Sequence, residues 1–402
     1  MTNERFSRRR CLALALTGAS SLRAAPENQI ARLIEVYGHQ GFHRTGTAID
    51  RASAEWLASE VRRAGLRPSL ESFTLSRVDT VTTALILGDR RIAGIPLFDA
   101  AFTNAEGISG RLGPLNSDAE IGLSETVPNA AAAGALGEAR RKGQHKAIVC
   151  VTRGGRPGLC PSNADLFREP FGPPVLQVAS EETAALRELA QQQSQVRLIA
   201  HVRRTPAQAL NVVARIDGVR PVLPPVVVMT PRSGWYTCAS ERGGAIVCWL
   251  ELMRALRNPK PLRNVIFVAS SGHELGHLGI NAFVDRRPGI VKRAFAWIHL
   301  GANIGAALDP GNTLQASDAQ IETQWAQAMT AAGLSIDRRN PLGTVPGGEA
   351  EVVHRGGGRY ISVIGRNAMF HNPEDRGPQV VDTPAIGRFV AALTEIALKL
   401  AG

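Results

Sequence analysis

Residues 273–277 read HELGH and match HExxH, a pattern in which two histidines one helical turn apart bind zinc and the glutamate acts as a base. A zinc protease of this kind needs one continuous helix through the motif, so that both imidazoles face the same way. Here the motif follows a predicted strand and two small residues, with Gly276 inside it and Gly279 just after it. Glycine costs about 1 kcal/mol relative to alanine inside a helix. The HExxH interpretation therefore ranks last among those considered below.

The second half of the chain alternates between predicted strands and helices. The segments PVVVMTP, RNVIFVASSG, VKRAFAWIHLGANIG and RYISVIG have the apolar runs of buried strands, and amphipathic segments separate them. This order predicts an α/β fold with a mainly parallel sheet flanked by helices. Ligands bind beyond the carboxyl ends of such strands, which places TPRSGW, SSGHELGH, HLGAN and MFHNPEDR on one rim.

The first half is less regular. SLESFTLSRVDTVTTALILG alternates like a pair of strands, HKAIVCVTRGG predicts a buried strand, and PPVLQVASEETAALRELAQQ predicts a strand followed by a helix. ALNVVARIDG then begins a new strand. We therefore predict an inserted, small β-rich domain at 106–205 within a larger domain formed by 26–105 and 206–402.

The N-terminus has the layout of an export signal. A polar, arginine-bearing stretch precedes the short apolar run CLALALTGAS, and small residues follow it. SRRRCLAL resembles a twin-arginine signal, which exports folded proteins. We predict a signal peptide at 1–25 and a periplasmic location. Nothing else in the sequence approaches a membrane span.

Charge and cysteine content narrow the partners and the compartment. The formal net charge is +11, but the basic residues are scattered and aromatic residues make up only 5% of the chain, so we expect no nucleic-acid partner. The 44% hydrophobic content is that of a globular protein with a sizeable core. An oxidising compartment would permit disulfides, and Cys150 and Cys160, which flank a loop, could pair.

Taken in order, these segments resemble an M28-type zinc aminopeptidase with an inserted protease-associated domain. FHRTGTAIDRASAEWLASEVRRAGL resembles the family's opening helices, HKAIVCVTRGG and the strand and helix after it resemble the insertion, and FHNPEDRGPQVVDTPAIGRFVAAL resembles its histidine loop and final helix. RNVIFVASSGHELGHLG lies where the family has a strand and two glutamates. The order of the motifs is more specific than any one of them.

The resemblance implies two zinc ions, but most of the implied ligands are replaced. The first histidine and the aspartate after it fall at Thr230 and Arg232, the bridging aspartate at Ser240, and a further aspartate at Gly301. Of the metal ligands, the resemblance retains Glu274 and His371. The family's general-base glutamate falls at His273, which could act as a base near neutral pH or bind the metal. His277 is a further candidate ligand for at most one zinc ion.

The rest of the predicted rim is rich in polar residues, which indicates a ligand pocket. Two arginines are candidate clamps for an anionic group. The candidate substrate-binding residues are Arg232, Ser233, Trp235, Ser240, Glu241, Arg242 and His299.

Three functions remain open at this stage. The first is an exported M28-like hydrolase of amide or peptide bonds with a degenerate, at most single-zinc site. The second is a catalytically inactive homologue that binds a polar or anionic ligand. The third is the HExxH protease. The expected partner is a small molecule or peptide, and the sequence does not fix the oligomeric state.

Overall fold

The computed structural model describes residues 27–402, so the predicted signal at 1–25 lies outside the described residues. The strands are β1 Ser69–Leu87, β2 Arg90–Pro96, β3 Ile108–Pro114, β4 Ile121–Thr126, β5 Ala147–Thr152, β6 Val175–Val178, β7 Gln195–Ile216, β8 Val226–Pro231, β9 Val265–Ser270, β10 Ala296–Leu300, β11 Gly311–Ala316, β12 Arg338–Arg339 and β13 Tyr360–Arg366. The helices are α1 Glu27–Gly38, α2 Ala48–Arg63, α3 Gly134–Lys142, α4 Thr183–Gln191, α5 Ala239–Arg257, α6 Leu278–Asp285, α7 Ile290–Arg293, α8 Ala319–Ala331, α9 Ala350–Arg355 and α10 Thr383–Ala401.

The central sheet runs in the order β7-β9-β8-β10-β13-β11-β12, and its four middle strands β9, β8, β10 and β13 are parallel. Side chains of β8 alternate between the two faces, as a two-residue period requires. Val226 and Val228 pack in the core beneath α1, α2, α5, α8 and α10, whereas Val227 and Met229 pack beneath α6, α7 and α9. The predicted α/β class, with helices on both faces of the sheet, is confirmed.

The segment predicted as a strand pair at 69–88 is one strand, β1. It pairs antiparallel with β7 from Ser69 opposite Val213 to Ile86 opposite Arg197, with one irregularity between Thr80 and Thr82. The alternation of 69–88 indicates extended structure, but it does not show where one strand ends. Pairing with β7 along the whole length keeps the strand continuous.

The far ends of β1 and β7 leave the central sheet and hold β2–β6. Pairings in the order β1-β2-β6-β5-β4-β3-β7 return to β1, so these strands form a closed circuit. A separate hydrophobic cluster fills it, with Leu85, Leu112, Val149, Leu176 and Leu198 fully or almost fully buried. The boundaries predicted for the inserted domain, 106–205, stay a prediction.

All four cysteines within residues 27–402 are buried and free. Cys150 lies in the interior of β5 and Cys160 in the loop after it, and the suggested disulfide between them is not formed. No helix in the described part is long and apolar enough to cross a membrane.

Two helical glycines provide a matched test of the packing. A Cβ added at Gly244 in α5 would lie 1.9 Å from the Ile304 carbonyl oxygen, whereas one added at Gly387 in α10 would meet nothing within 4 Å. We expect Gly244→Ala to lower the free energy of unfolding by about 1–3 kcal/mol or more through overpacking. Gly387→Ala should raise it by about 0.5–1 kcal/mol. Urea denaturation measures both, and equal effects at the two positions would contradict the close approach of α5 to the Ile304 segment.

Candidate active site

Four segments meet at the carboxyl ends of the parallel strands. The loop after β8 joins the loop after β9 through Arg232 N, which donates to the Ser270 carbonyl at 2.8 Å. The loop after β10 reaches the start of α5, where Asn303 N donates to the Glu241 carbonyl at 2.8 Å. Asn367, just after β13, donates from its side chain to Ser240 Oγ at 2.8 Å. The structure therefore brings together the segments that the sequence placed on one rim.

The HELGH segment is a turn and not an α-helix. His273–Leu275 form a single 3₁₀ turn, Gly276 and His277 have φ of 69° and 59°, and α6 begins only at Leu278. The two imidazole centroids lie 5.0 Å apart, but they are not carried on one helical face. The continuous helix that the HExxH interpretation requires is not formed. Gly276 and His277 have left-handed backbone conformations, and they interrupt the helix within the motif.

Glu274 has its carboxylate occupied by neighbouring hydroxyl and amide groups. Oε1 accepts from Thr45 N at 2.9 Å and from Thr45 Oγ1 at 2.6 Å, and Oε2 accepts from Ser233 Oγ at 2.7 Å. Ser233 Oγ in turn accepts from Gly272 N at 2.8 Å. Glu274 and Ser233 therefore connect the loop before α2, which contains Thr45, to the rim. They were predicted as a metal ligand and a substrate contact.

Arg232 forms a buried ion pair with Asp50 in α2. Its Nη1 lies 2.8 Å from Asp50 Oδ1, and its Nη2 donates to the Leu210 carbonyl at 2.5 Å. Both side chains are almost fully buried. The prediction that Arg232 clamps an anionic ligand is corrected, because its charge is already neutralised inside the protein. Asp50 gave no signal in the sequence beyond being an acidic residue in the first turn of a helix.

Glu241, Arg242 and His371 lie together at the N-terminus of α5. Arg242 Nη2 is 2.7 Å from Glu241 Oε1, although neither atom is in hydrogen-bond geometry, and Arg242 Nε donates to the Ser233 carbonyl at 2.9 Å. His371 Nε2 is 3.6 Å from the same Glu241 oxygen. All three side chains are buried. Because Arg242 is paired with Glu241, it is not a free anion clamp either.

Asp375 caps the first turn of α5. Its Oδ1 accepts from Ser240 N at 2.8 Å and from Ser240 Oγ at 2.6 Å, and its Oδ2 accepts from Glu241 N at 3.0 Å. Burial raises the pKa of Asp375 to about 6. Ser240, predicted as a substrate contact, instead orients this carboxylate. The sequence pointed to the rim but not to Asp375.

His273 and His299 surround a buried glutamate that the sequence analysis did not find. Glu349 accepts from Ser270 Oγ at 2.5 Å, and His273 Nδ1 lies 3.8 Å from the same oxygen. His299 Nδ1 lies 2.8 Å from Ser362 Oγ. Glu349 follows two glycines in a segment with no periodicity, so only its position before α9 in the folded chain reveals it.

Residues 161–163, in the loop between β5 and β6, contact the rim. Trp235 Nε1 donates to Asn163 Oδ1 at 3.2 Å, and His371 Nδ1 lies 2.6 Å from the Pro161 carbonyl oxygen. Since a carbonyl oxygen only accepts, Nδ1 of His371 carries the proton. Trp235 thus contacts the insertion, where the sequence analysis expected it to contact a substrate.

Backbone strain and unpartnered polar atoms are concentrated at this site. Of the six non-glycine residues with positive φ in the described part, four lie on the rim, and such strain clusters at functional sites. Buried side-chain atoms at the rim without a hydrogen-bond partner within residues 27–402 are Arg232 Nε, Glu241 Oε1 and Oε2, Arg242 Nη1 and Nη2, His273 Nδ1, His299 Nε2, Glu349 Oε2 and His371 Nε2. Native proteins rarely leave such atoms unsatisfied, so this cluster indicates a site for a polar group.

The residues do not fit the predicted zinc ion. Both carboxylate oxygens of Glu274 accept hydrogen bonds, one from Thr45 and the other from Ser233, and the Arg242 guanidinium lies beside Glu241. Across residues 27–402, no three or more His, Cys, Asp or Glu side chains are arranged to hold a metal. A catalytic zinc takes three protein ligands. Glu274, His371 and His277 are therefore not assembled as the one-zinc site that was predicted.

Removing the buried arginine should be costly. We expect Arg232→Met to lower the free energy of unfolding by about 3–5 kcal/mol, because Asp50 would remain charged and buried without its partner. Asp50→Asn in the same chain should recover part of this loss. Chemical denaturation of the two single variants and the double variant measures the coupling, and additive losses would contradict the ion pair.

Acid should destabilise the folded chain through its buried histidines. Burial lowers the pKa of His43 and of His299 to about 3, and it lowers the pKa values of His273 and His371. A histidine with a folded-state pKa below the unfolded value of about 6.5 contributes no penalty above that pH, and stability falls as the pH decreases through it. The raised pKa of Asp375 has the opposite sign, because its penalty is relieved as the pH falls through about 6.

Lowering the pH from 7.5 to 5 should therefore cost about 2 kcal/mol for each histidine that stays neutral in the folded state. His299→Asn should flatten the dependence of the unfolding free energy on pH, whereas His39→Asn, at an exposed position, should leave it as in the parent chain. Urea titrations at several pH values measure this, and identical slopes for both variants would contradict a buried neutral His299.

No family model and no curated protein matches this sequence. Solved structures do match it over almost the whole chain. A zinc aminopeptidase from Bacillus subtilis is 19% identical with a TM-score of 0.74, and the match covers 93% of each chain. An aminopeptidase from Aneurinibacillus sp. strain AM-1 is 12% identical with a TM-score of 0.71, covering 94% of this chain and 95% of that one. A peptidase M28 precursor from Shewanella amazonensis is 15% identical with a TM-score of 0.70, covering 94% and 96%. The predicted resemblance is confirmed at the level of structure: the chain has the fold of the M28-type zinc aminopeptidases.

Proposed function

We propose that this protein is a non-hydrolytic binding protein built on the aminopeptidase fold, and that its ligand is a small amine-bearing molecule such as an amino-acid derivative or the N-terminus of a short peptide. The observation that carries the proposal is the 3.6 Å approach of His371 Nε2 to Glu241 Oε1. We also propose export by the twin-arginine-like segment at 1–25, which rests on the sequence alone.

The protonation state of His371 explains why a hydrogen-bond donor is needed near His371 Nε2 and Glu241 Oε1. Its Nδ1 proton points to the Pro161 carbonyl, and burial lowers the pKa of the ring, so Nε2 carries a lone pair at neutral pH. That lone pair faces a carboxylate oxygen, which is also an acceptor. A nitrogen placed to one side of the pair, with one N–H directed at each atom, would satisfy both, and an ammonium group would add a charge-assisted bond to Glu241.

The charge balance of the cluster favours an amine over the anionic ligand considered from the sequence. Arg242 is matched by Glu241, and Arg232 is matched by Asp50. Glu349 contributes a further buried carboxylate with one unpartnered oxygen. Two of the solved structures with this fold are named as aminopeptidases, which agrees with recognition of a free amino group.

Hydrolysis is the less favoured function because the groups that would activate water are otherwise engaged. The carboxylate of Glu274 is held by Thr45 and Ser233, and within residues 27–402 the three-ligand group that a catalytic zinc requires is not assembled. At the position that the resemblance assigns to the general base, burial lowers the pKa of His273, which weakens it as a base at neutral pH.

Binding and metal content test the proposal together. The purified full chain should contain less than about 0.2 zinc per molecule, since protein zinc sites bind tightly. Leucinamide and a Leu-Gly dipeptide should raise the melting temperature, and their N-acetylated forms should not. Glu241→Gln should weaken binding by about tenfold or more, the size of one charge-assisted hydrogen bond.

Glu374→Gln is the matched control, because this glutamate lies in the same loop as His371 but is 71% exposed. It should bind the free-amine probes like the parent chain. One zinc per chain together with cleavage of aminoacyl amides, both lost in Glu274→Ala and His371→Ala, would instead support the single-zinc hydrolase predicted from the sequence. Equal stabilisation by free and acetylated probes would contradict amine recognition.

A further inference from the structure

A segment of the insertion, residues 155–165, lies across the rim and is here termed the strap. It has no helix or strand, yet Cys160, Pro161, Ser162, Asn163 and Ala164 are buried. Irregular segments usually run over the surface, because their backbone polar groups find no partners inside. The strap is therefore unusual in being both irregular and buried.

Side chains of the rim satisfy the strap's backbone. Tyr236 Oη donates to the Leu159 carbonyl at 2.9 Å, and Asn372 Nδ2 donates to the Pro157 carbonyl at 2.9 Å. His371 Nδ1 donates to the Pro161 carbonyl at 2.6 Å. In the reverse direction, Ala164 N donates to the Glu274 carbonyl at 2.9 Å.

The strap also fits the rim closely. A Cβ added at Gly155 would lie 2.7 Å from Ala368 Cα, and one added at Gly276 would lie 2.4 Å from the Asp165 carbonyl oxygen. Glycine on each side of the contact thus allows the two backbones to touch.

We propose that the strap is a latched lid, which opens as a unit and exposes Glu241, Arg242 and His371. The reason is the contrast in how it is held. The hydrogen bonds described above join the strap to the rim and break together when it lifts, whereas the amides of Cys160 and Ser162 are bonded to Thr152 and Gln177 of the insertion and hold the strap to it. The flanking strand β5 is paired on both edges. Segments without regular pairing open at lower free energy than sheet strands. The identity of what enters rests on the proposed function, but the opening does not.

Free cysteines supply internal reporters for this motion. Cys160 lies in the strap, Cys150 lies in β5 within the insertion, and Cys248 lies in α5 within the main core, and all three are fully buried. In the native full chain, treated with a maleimide and analysed by peptide mapping, Cys160 should react at least about tenfold faster than the other two thiols. This difference corresponds to a partial opening less costly than global unfolding.

Tyr236→Phe removes only the hydroxyl that holds the Leu159 carbonyl, and should speed the labelling of Cys160 several-fold without changing Cys150 or Cys248. Tyr360→Phe is the matched control, since its hydroxyl contacts His354 in α9 and not the strap. If all three thiols react at the rate of global unfolding, or if Tyr360→Phe has the same effect as Tyr236→Phe, the lid is overturned.

Hydrogen exchange of the Ala164 amide gives a second readout that needs no variant. This amide should exchange faster than the amides of β5, and exchange at the same rate would overturn the lid. Both measurements are made without ligand, so they can succeed even if leucinamide fails to bind. Slower maleimide labelling of Cys160 in the presence of leucinamide would support both the lid and the proposed ligand.

Discussion

Five acidic side chains lie buried at the carboxyl ends of the central strands, namely Asp50, Glu241, Glu274, Glu349 and Asp375, and each needs positive charge or hydrogen-bond donors to remain there. Burying an unpaired carboxylate costs several kcal/mol. Asp50 has Arg232, Glu274 has Thr45 and Ser233, and Glu241 has Arg242 beside it. The surrounding architecture follows from this requirement, because the donors come from α2's entry loop, the β8 loop and α5. Each carboxylate thus holds one element against the sheet.

Arginine side chains and hydroxyl groups, in place of a metal ion, compensate the charges of the buried carboxylates, and this accounts for the polar rim. In a zinc site, a divalent ion neutralises several carboxylates at once, whereas an arginine neutralises one and imposes its own planar geometry. The chain uses two arginines and several hydroxyl groups for this purpose. Most of the buried side-chain atoms that lack a hydrogen-bond partner within residues 27–402, including those of Glu241, Glu349 and three histidines, lie at this rim. The proposed binding function depends on that concentration.

The sequence predicted the class of fold and the meeting of the loops well, because strand and helix periods and the order of motifs are local signals. It predicted the roles of individual residues less well. Arg232 and Trp235 were assigned to a ligand, but a partner far away in the chain, Asp50 or Asn163, decides what each does. Glu349 and Asp375 carried no local pattern at all. The long strands β1 and β7 were underestimated for the same reason, since each is stabilised mainly by the other.

The continuous pairing of β1 with β7 has a consequence for the order of folding. The chain from β2 to β6 separates the two strands, so their register can close only when that intervening chain brings them together. Loop-closure entropy opposes the pairing until then. β7 also supplies the edge on which β9 pairs, so β9 gains that partner only once β7 is in place. The two strands thus belong both to the β2–β6 circuit and to the central sheet, so neither unit is complete until they pair.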